Sequence, residues 1–136
     1  MIKMSKIFKA KLESLHEILN WVRDYFLHEK ISKKKLGHIE LALEEALVNV
    51  FLYAYPDSEG QITISIDKDE TNYFIKLVDN GISFNPLTYE TKNIPGLPLN
   101  NLKEGGLGIS FFKKLVDEID YQRLDKSNIL VFKINK

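Results

Sequence analysis

Three short stretches of the chain carry side chains suited to nucleotide and metal chemistry. The first is Leu43-Glu44-Glu45-Ala46-Leu47-Val48-Asn49, whose pattern reads as helix. Glu45 and Asn49 are four apart, so they project from one helical face. That stripe also carries Leu41, Val48 and Leu52, which makes it mainly apolar. A polar group on such a face needs a partner, or it costs about 1–3 kcal/mol. Two readings stand. Either the pair is satisfied by backbone or water at the core edge, or Glu45 is a general base and Asn49 offers an amide oxygen to Mg²⁺. Glu44 points about 100° away from Glu45 and reads as a solvated neighbour.

The second stretch is Asp79-Asn80-Gly81. Asn-Gly favours a two-residue hairpin, yet Ile82-Ser83-Phe84-Asn85-Pro86 does not alternate back into a strand. An aspartate at a strand end can accept a hydrogen bond from an exocyclic amine such as that of adenine. Gly81, with no Cβ, would let a flat base approach the backbone. The third stretch, Gly105-Gly106-Leu107-Gly108, leads into Ile109-Ser110-Phe111-Phe112. Amides at a helix N-terminus bind anions, and glycines let phosphates come close. The stretch has no Gly-Lys-Ser/Thr and does not directly follow a strand, so it is neither a P-loop nor a dinucleotide turn. Taken singly, each stretch is better read as an ordinary core edge, turn or loop end.

The elements that must position these residues follow from periodicity. Lys6 to Leu12 is expected to be a strand. Glu13-Ser14 starts a helix, with Ser14 as N-cap and Glu17 completing a capping box, and Leu15, Ile18, Leu19, Val22 and Phe26 on its apolar side. Ser32 caps a second helix from Lys33 to Ala54, with Leu36, Ile39, Leu43, Leu47, Val50 and Ala54 facing the core. Gln61 to Asp67 and Tyr73 to Val78 alternate as strands. Ile82 to Lys103 has no clear period, and a loop of about 20 residues is uncommon unless functional or disordered. Gly106 to Val116 is a third helix, and Glu118 to Leu124 and Asn128 to Ile134 are closing strands. This order implies an α/β (α+β) two-layer sandwich: a mixed, mostly antiparallel sheet of about five strands, covered on one face by three helices.

Bulk properties add bounds. A length of 136 residues suits one domain over 1–136. Lys plus Arg equals Asp plus Glu at 19 each, so no global field points to nucleic acid, and no direct nucleic-acid partner is expected. With no cysteine there is no disulfide or thiolate chemistry. No apolar run reaches about 18 residues, so no membrane partner is expected and a cytoplasmic location is.

In order and spacing, the three stretches resemble the Bergerat-type (GHKL) ATP fold shared by histidine kinases, Hsp90-type chaperones, type II topoisomerases and MutL-type proteins. The compact length is similar to that of the bacterial serine kinases that act as anti-sigma factors. Lys114-Leu115-Val116-Asp117-Glu118-Ile119-Asp120-Tyr121 looks like that subfamily's helix-to-strand exit. The resemblance implies a histidine-kinase-type ATP-binding fold using ATP and Mg²⁺. It implies Glu45 as base, Asn49 as Mg²⁺ ligand, Asp79 on adenine with Gly81 beneath it, and Gly105, Gly106, Leu107 and Gly108 along the phosphates. Ser83 to Lys103 would be the lid. The implied activity is transfer of the ATP γ-phosphate to a serine on a STAS-type anti-sigma-factor antagonist. Many such kinases also sequester a sigma factor, and many are homodimers. The alternative is a nucleotide-gated protein-binding regulator with little or no transfer. Three positions depart from the family pattern. Tyr53 stands where members often have His, Asn85 replaces the Asp of Phe-Asp-Pro, and Glu104 occupies a commonly basic position.

Overall fold

The computed structural model describes residues 4–55, 60–85 and 106–136. In chain order these form β1 (Met4–Lys9), α1 (Leu15–Leu27), α2 (Lys33–Tyr53), β2 (Gln61–Lys68), β3 (Asn72–Asp79), α3 (Gly106–Leu115), β4 (Glu118–Leu124) and β5 (Ser127–Asn135). The strands make one five-stranded sheet in the order β1-β2-β3-β5-β4. Every neighbouring pair is antiparallel, so the sheet expected to be mostly antiparallel is wholly so. The reason is topological. β3 and β4, on either side of α3 in sequence, run in the same direction, but the tight β4–β5 hairpin inserts β5 between them.

The alternation in the strands decides which face is buried. Ile62, Ile64 and Ile66 of β2, Tyr73, Ile75 and Leu77 of β3, and Leu130, Phe132 and Ile134 of β5 are all buried. They form one core with Ile18, Val22 and Phe26 of α1, with Leu36, Ile39, Leu43, Leu47 and Val50 of α2, and with Phe112 of α3. Fully burying one such side chain contributes about 1.5–3 kcal/mol. Aromatic contacts fasten helices to strands, Phe26 to Tyr73 at 5.1 Å and Phe112 to Phe132 at 5.8 Å between ring centroids. Among the described residues, no helix is long and apolar enough to cross a membrane.

Two N-terminal expectations are corrected. β1 stops at Lys9: the Ala10 N–H still reaches the Gly60 carbonyl in register with β2, but the Lys11 N–H folds back to the Lys9 carbonyl. Leu12–Ser14 then form a 3₁₀ turn that runs straight into α1. Ser14 has helical dihedrals and makes no side-chain cap, so the capping box does not form. The 3₁₀ turn already supplies carbonyls to the N–H groups of Ser14 and Leu15. Ser32, by contrast, caps α2 as expected: its backbone is extended and its hydroxyl accepts from the Lys35 N–H at 3.0 Å.

Helix α2 packs against both α1 and α3. Its core face is the one read from periodicity, but the stripe carrying Glu45 is not a core stripe. Leu41 and Leu52 are 45% and 44% exposed, and Glu44 and Glu45 are exposed beside them. Burial therefore sets the cost of truncation along one helix. Leu47→Ala should cost about 2–5 kcal/mol, and Leu41→Ala or Leu52→Ala no more than about 0.5 kcal/mol, as read from urea unfolding midpoints at constant slope.

Candidate nucleotide-binding site

One cross-strand row at the end of the sheet changes character as it crosses the strands. Phe8 pairs with Ile62, Ile62 with Asp79, Asp79 with Asn128, and Asn128 with Arg123. These residues share the parity of the buried rows, so they face the helices. One row inward, Ile64, Leu77, Leu130 and Tyr121 are aligned in the same way. The apolar core thus terminates in a carboxylate, an amide and a guanidinium. Asp79 and Asn128 are each 3% exposed.

Buried polar groups of this kind must be partnered, and the partners form a network. Asp79 Oδ1 accepts from the Gly81 N–H and from Asn128 Nδ2, both at 2.9 Å. Asn128 Nδ2 also donates to the Ile82 carbonyl at 2.8 Å. Asn128 Oδ1 accepts from the Tyr121 hydroxyl at 2.6 Å and from the Phe84 N–H and Arg123 Nη1 at 3.2 Å. Arg123 Nη1 reaches on to the Gly81 carbonyl at 2.8 Å. Tyr55 props the same loop from the other side, taking the Asn80 N–H at 2.8 Å and donating to the Gln61 carbonyl at 3.0 Å. Among the described residues, no group donates to Asp79 Oδ2. Burial pushes the Asp79 carboxyl above its ordinary value, against the opposing pull of Asn128, the Gly81 N–H and the Arg123 charge.

The end of α2 closes onto this loop. The Ile82 N–H donates to the Ala54 carbonyl at 2.9 Å, and the Tyr53 and Phe84 rings lie 5.6 Å apart. A Cβ built on Gly81 would come within 2.4 Å of the Ala54 carbonyl oxygen and 2.8 Å of its Cβ. Gly81 is therefore required by the helix beside it, a different reason from the one its place in the sequence suggests. Asn49, one turn before Tyr53, is buried, whereas Glu45 is exposed. Glu40 binds Arg23 of α1 through two contacts of 2.7 and 2.9 Å. Asn49 lies about 180° around the helix from Glu40, and so on the side of α3.

Gly106, Leu107 and Gly108 fall in the first turn of α3, so the helix opens within the glycine run. Gly105, Glu104 and most of the expected lid lie outside the described residues. Asn128 and Arg123, central to the network, were not singled out in the sequence. The signal was there. Asn128 occupies an inward position of the alternating run Asn128, Leu130, Phe132, Ile134, and Arg123 the same parity after Ile119 and Tyr121.

Residues 8–134 match the family model of the histidine kinase-like ATPase domain. The chain belongs to that family. It is 33% identical over 98 residues to a serine-protein kinase RsbW of Bacillus mycoides strain KBAB4, and 31% identical over 98 residues to that of Bacillus cereus strain G9842. Each alignment covers 70% of this chain but 61% of the relative, so the matched region is shorter than those proteins. The structure resembles the RsbU and RsbW domains of a Mycobacterium tuberculosis protein (TM-score 0.70, 11% identity, 98% of this chain and 32% of that one). It also resembles the catalytic domain of histidine kinase ThkA (TM-score 0.54, 18% identity, 98% of this chain and 97% of that one). At these identities the likeness is one of fold.

The site fits the family's nucleotide. Among the described residues Asp79 Oδ1 has two donors and Oδ2 has none, so the carboxylate retains acceptor capacity that the amino group of a base could use. Two outcomes follow. Gly81→Ala should unfold at lower denaturant by about 1–3 kcal/mol, since the Ala54 backbone cannot give way cheaply. Asp79→Asn should be at least as stable as the parent at pH 7 to 8. A carboxyl raised in the fold favours the native state when protonated, and that contribution is lost as pH rises through its folded value. The gap between parent and variant should close as pH falls toward 4, read by thermal melting across that range.

Proposed function

We propose that this chain is a protein-serine kinase of the anti-sigma-factor type, acting as one ATP-binding domain over residues 1–136 in the cytoplasm. It transfers the γ-phosphate of ATP to a serine of a STAS-type antagonist protein, with a sigma factor as its other partner and self-association into a homodimer. The observation that carries the reading is the half-satisfied Asp79 carboxylate beside the end of α2 that holds Asn49 and, one turn earlier, Glu45. The likeness to RsbW serine-protein kinases supports the choice of serine over histidine as acceptor.

In this reading Asp79 takes the adenine amino group, and the amides of Gly105, Gly106, Leu107 and Gly108 line the phosphates at the start of α3. Asn49 would offer an amide oxygen to Mg²⁺ held together with the nucleotide. When bound, the ion neutralises charge on the triphosphate. Among the described residues no group of three or more His or carboxylate side chains gathers, which suits an ion held jointly with the nucleotide. Glu45, exposed on the same side of α2, accepts the serine proton as the serine oxygen bonds to the γ-phosphorus. The bond from that phosphorus to the bridging oxygen breaks, and ADP leaves with the electron pair.

One observation favours the alternative of a nucleotide-gated regulator: among the described residues nothing hydrogen-bonds Glu45 to orient it. Calorimetry with Mg²⁺-ATP and phosphate transfer to a purified STAS-type antagonist separate the two. Asp79→Ala should weaken ATP binding roughly 10- to 100-fold. Glu45→Ala should keep binding within about threefold, while transfer drops by about 10²–10⁴. Wild-type binding without any transfer would replace the kinase by the regulator. A folded wild type that does not bind ATP would overturn both.

A further inference from the structure

We infer that Asn128 is the positioning residue of the base pocket, aiming Asp79 Oδ2 at the bound base and making that aim depend on the β4–β5 hairpin. The inference rests on the nucleotide reading above and deepens it.

The argument starts from the five hydrogen bonds of one amide. On one side stand two acceptors, Asp79 Oδ1 and the Ile82 carbonyl, at 2.9 and 2.8 Å. On the other stand three donors, the Tyr121 hydroxyl, the Phe84 N–H and Arg123 Nη1. An amide oriented the other way would set oxygen against two acceptors and its NH₂ against the Phe84 N–H and the guanidinium. A side chain so surrounded has one orientation. That orientation fixes the carboxylate. Without Asn128, the one donor left to Oδ1 among the described residues is the Gly81 N–H, two residues along the same chain, and the carboxylate is free to turn about its own bonds. With Asn128, Oδ1 is held from a neighbouring strand, and Oδ2 is the oxygen left to discriminate.

Two of the three donors that set the amide, Tyr121 and Arg123, come from β4, an edge strand paired on one side by β5. The hairpin therefore does more than close the sheet. It selects which end of Asn128 faces Asp79, and so whether the pocket presents a hydrogen-bond acceptor in a fixed place. An acceptor held in this way distinguishes a base carrying an amino group from one that lacks it, because a buried acceptor left unpaired is costly.

The test compares ATP with purine riboside 5′-triphosphate, which lacks the 6-amino group, by calorimetry with Mg²⁺ on the full chain. The wild type should prefer ATP by roughly tenfold or more. In Asn128→Ala the preference should collapse to within about threefold, mostly through weaker ATP binding, while the phosphate-dominated affinity for the analogue changes less. The double variant Tyr121→Phe with Arg123→Ala leaves Asn128 in place and alters only incompletely buried side chains. It should lower the preference in the same direction, and it decides the matter if Asn128→Ala does not fold. Equal loss of both nucleotides, or an unchanged ratio in a folded variant, would make Asn128 merely structural and overturn the inference. A wild type that binds neither nucleotide would instead overturn the nucleotide reading on which it stands.

Discussion

A carboxylate taken out of water at the end of a sheet is the constraint around which this site is arranged. Removing an ionised group from solvent costs several kcal/mol unless hydrogen bonds and opposite charge replace the lost hydration. Asp79 receives two donors on one oxygen and the Arg123 charge near by. Those groups in turn hold their neighbours. Asn128 serves Asp79 and also ties down the Ile82 carbonyl and the Phe84 N–H, while Arg123 ties down the Gly81 carbonyl. In the loop after β3, the Gly81 and Ile82 carbonyls and the Phe84 N–H are thereby satisfied from β4 and β5, while the Asn80 and Ile82 N–H groups are satisfied from Tyr55 and Ala54 at the exit of α2.

Helix α2 imposes the complementary constraint from the other side. Its buried small residues Ala42, Ala46 and Ala54 allow close approach where a longer side chain would hold neighbours off. At the helix exit this closeness becomes sequence-specific. Gly81 lies against Ala54, and a Cβ on Gly60 would fall 2.1 Å from the ring of Tyr55. Tyr55 is itself the strut between β2 and the Asp79 loop. Two glycines distant in sequence are thus fixed by consecutive residues of the helix exit. The helix contributes its hydrophobic face to stability, and its end and flank to the site.

What the sequence made legible follows from which signals are local. The apolar period of α2 and the alternation of β2 and β3 identified their large aliphatic core residues, because burial acts on each element separately, but Ala42, Ala46 and Phe51 of α2 are buried as well. Strand order was not legible, since nothing in the period of β5 says that it pairs with β3 as well as β4, and that gap left room for a parallel pair in the mostly antiparallel sheet that was expected. The Ser14 cap failed for a related reason: a preceding 3₁₀ turn had already supplied the carbonyls that a capping side chain makes unnecessary. At the site, Asp79 and Asn49 were readable as polar residues in apolar patterns. Asn128 and Arg123 carried the same parity signal, but they needed the cross-strand register to give them partners. The exposure of Glu45 could not be read from its stripe, because Leu41 and Leu52 disguise a solvent-facing surface as a core-facing one.

The two ends of the proposed nucleotide site have different mechanical characters, and the difference has a physical origin. The loop at the base end is tethered by three contacts, two to the end of α2 and one to β5: Ile82 to the Ala54 carbonyl, the Phe84 ring to Tyr53, and the Phe84 N–H to Asn128. A surface held in this way loses little freedom when a ligand arrives, so affinity there is not spent on ordering. The first turn of α3 contains Gly106 and Gly108, each of which weakens a helix interior by up to about 1 kcal/mol relative to alanine. Such a turn gives up local stability and places backbone N–H groups on residues that have no Cβ. In the proposed reading, discrimination would fall to the Asp79 end, where the loop is tethered, and accommodation of charged phosphates to the glycine end. Asn128, bonded to the carboxylate on one side and to the loop and hairpin on the other, is the group that keeps the first of these ends rigid.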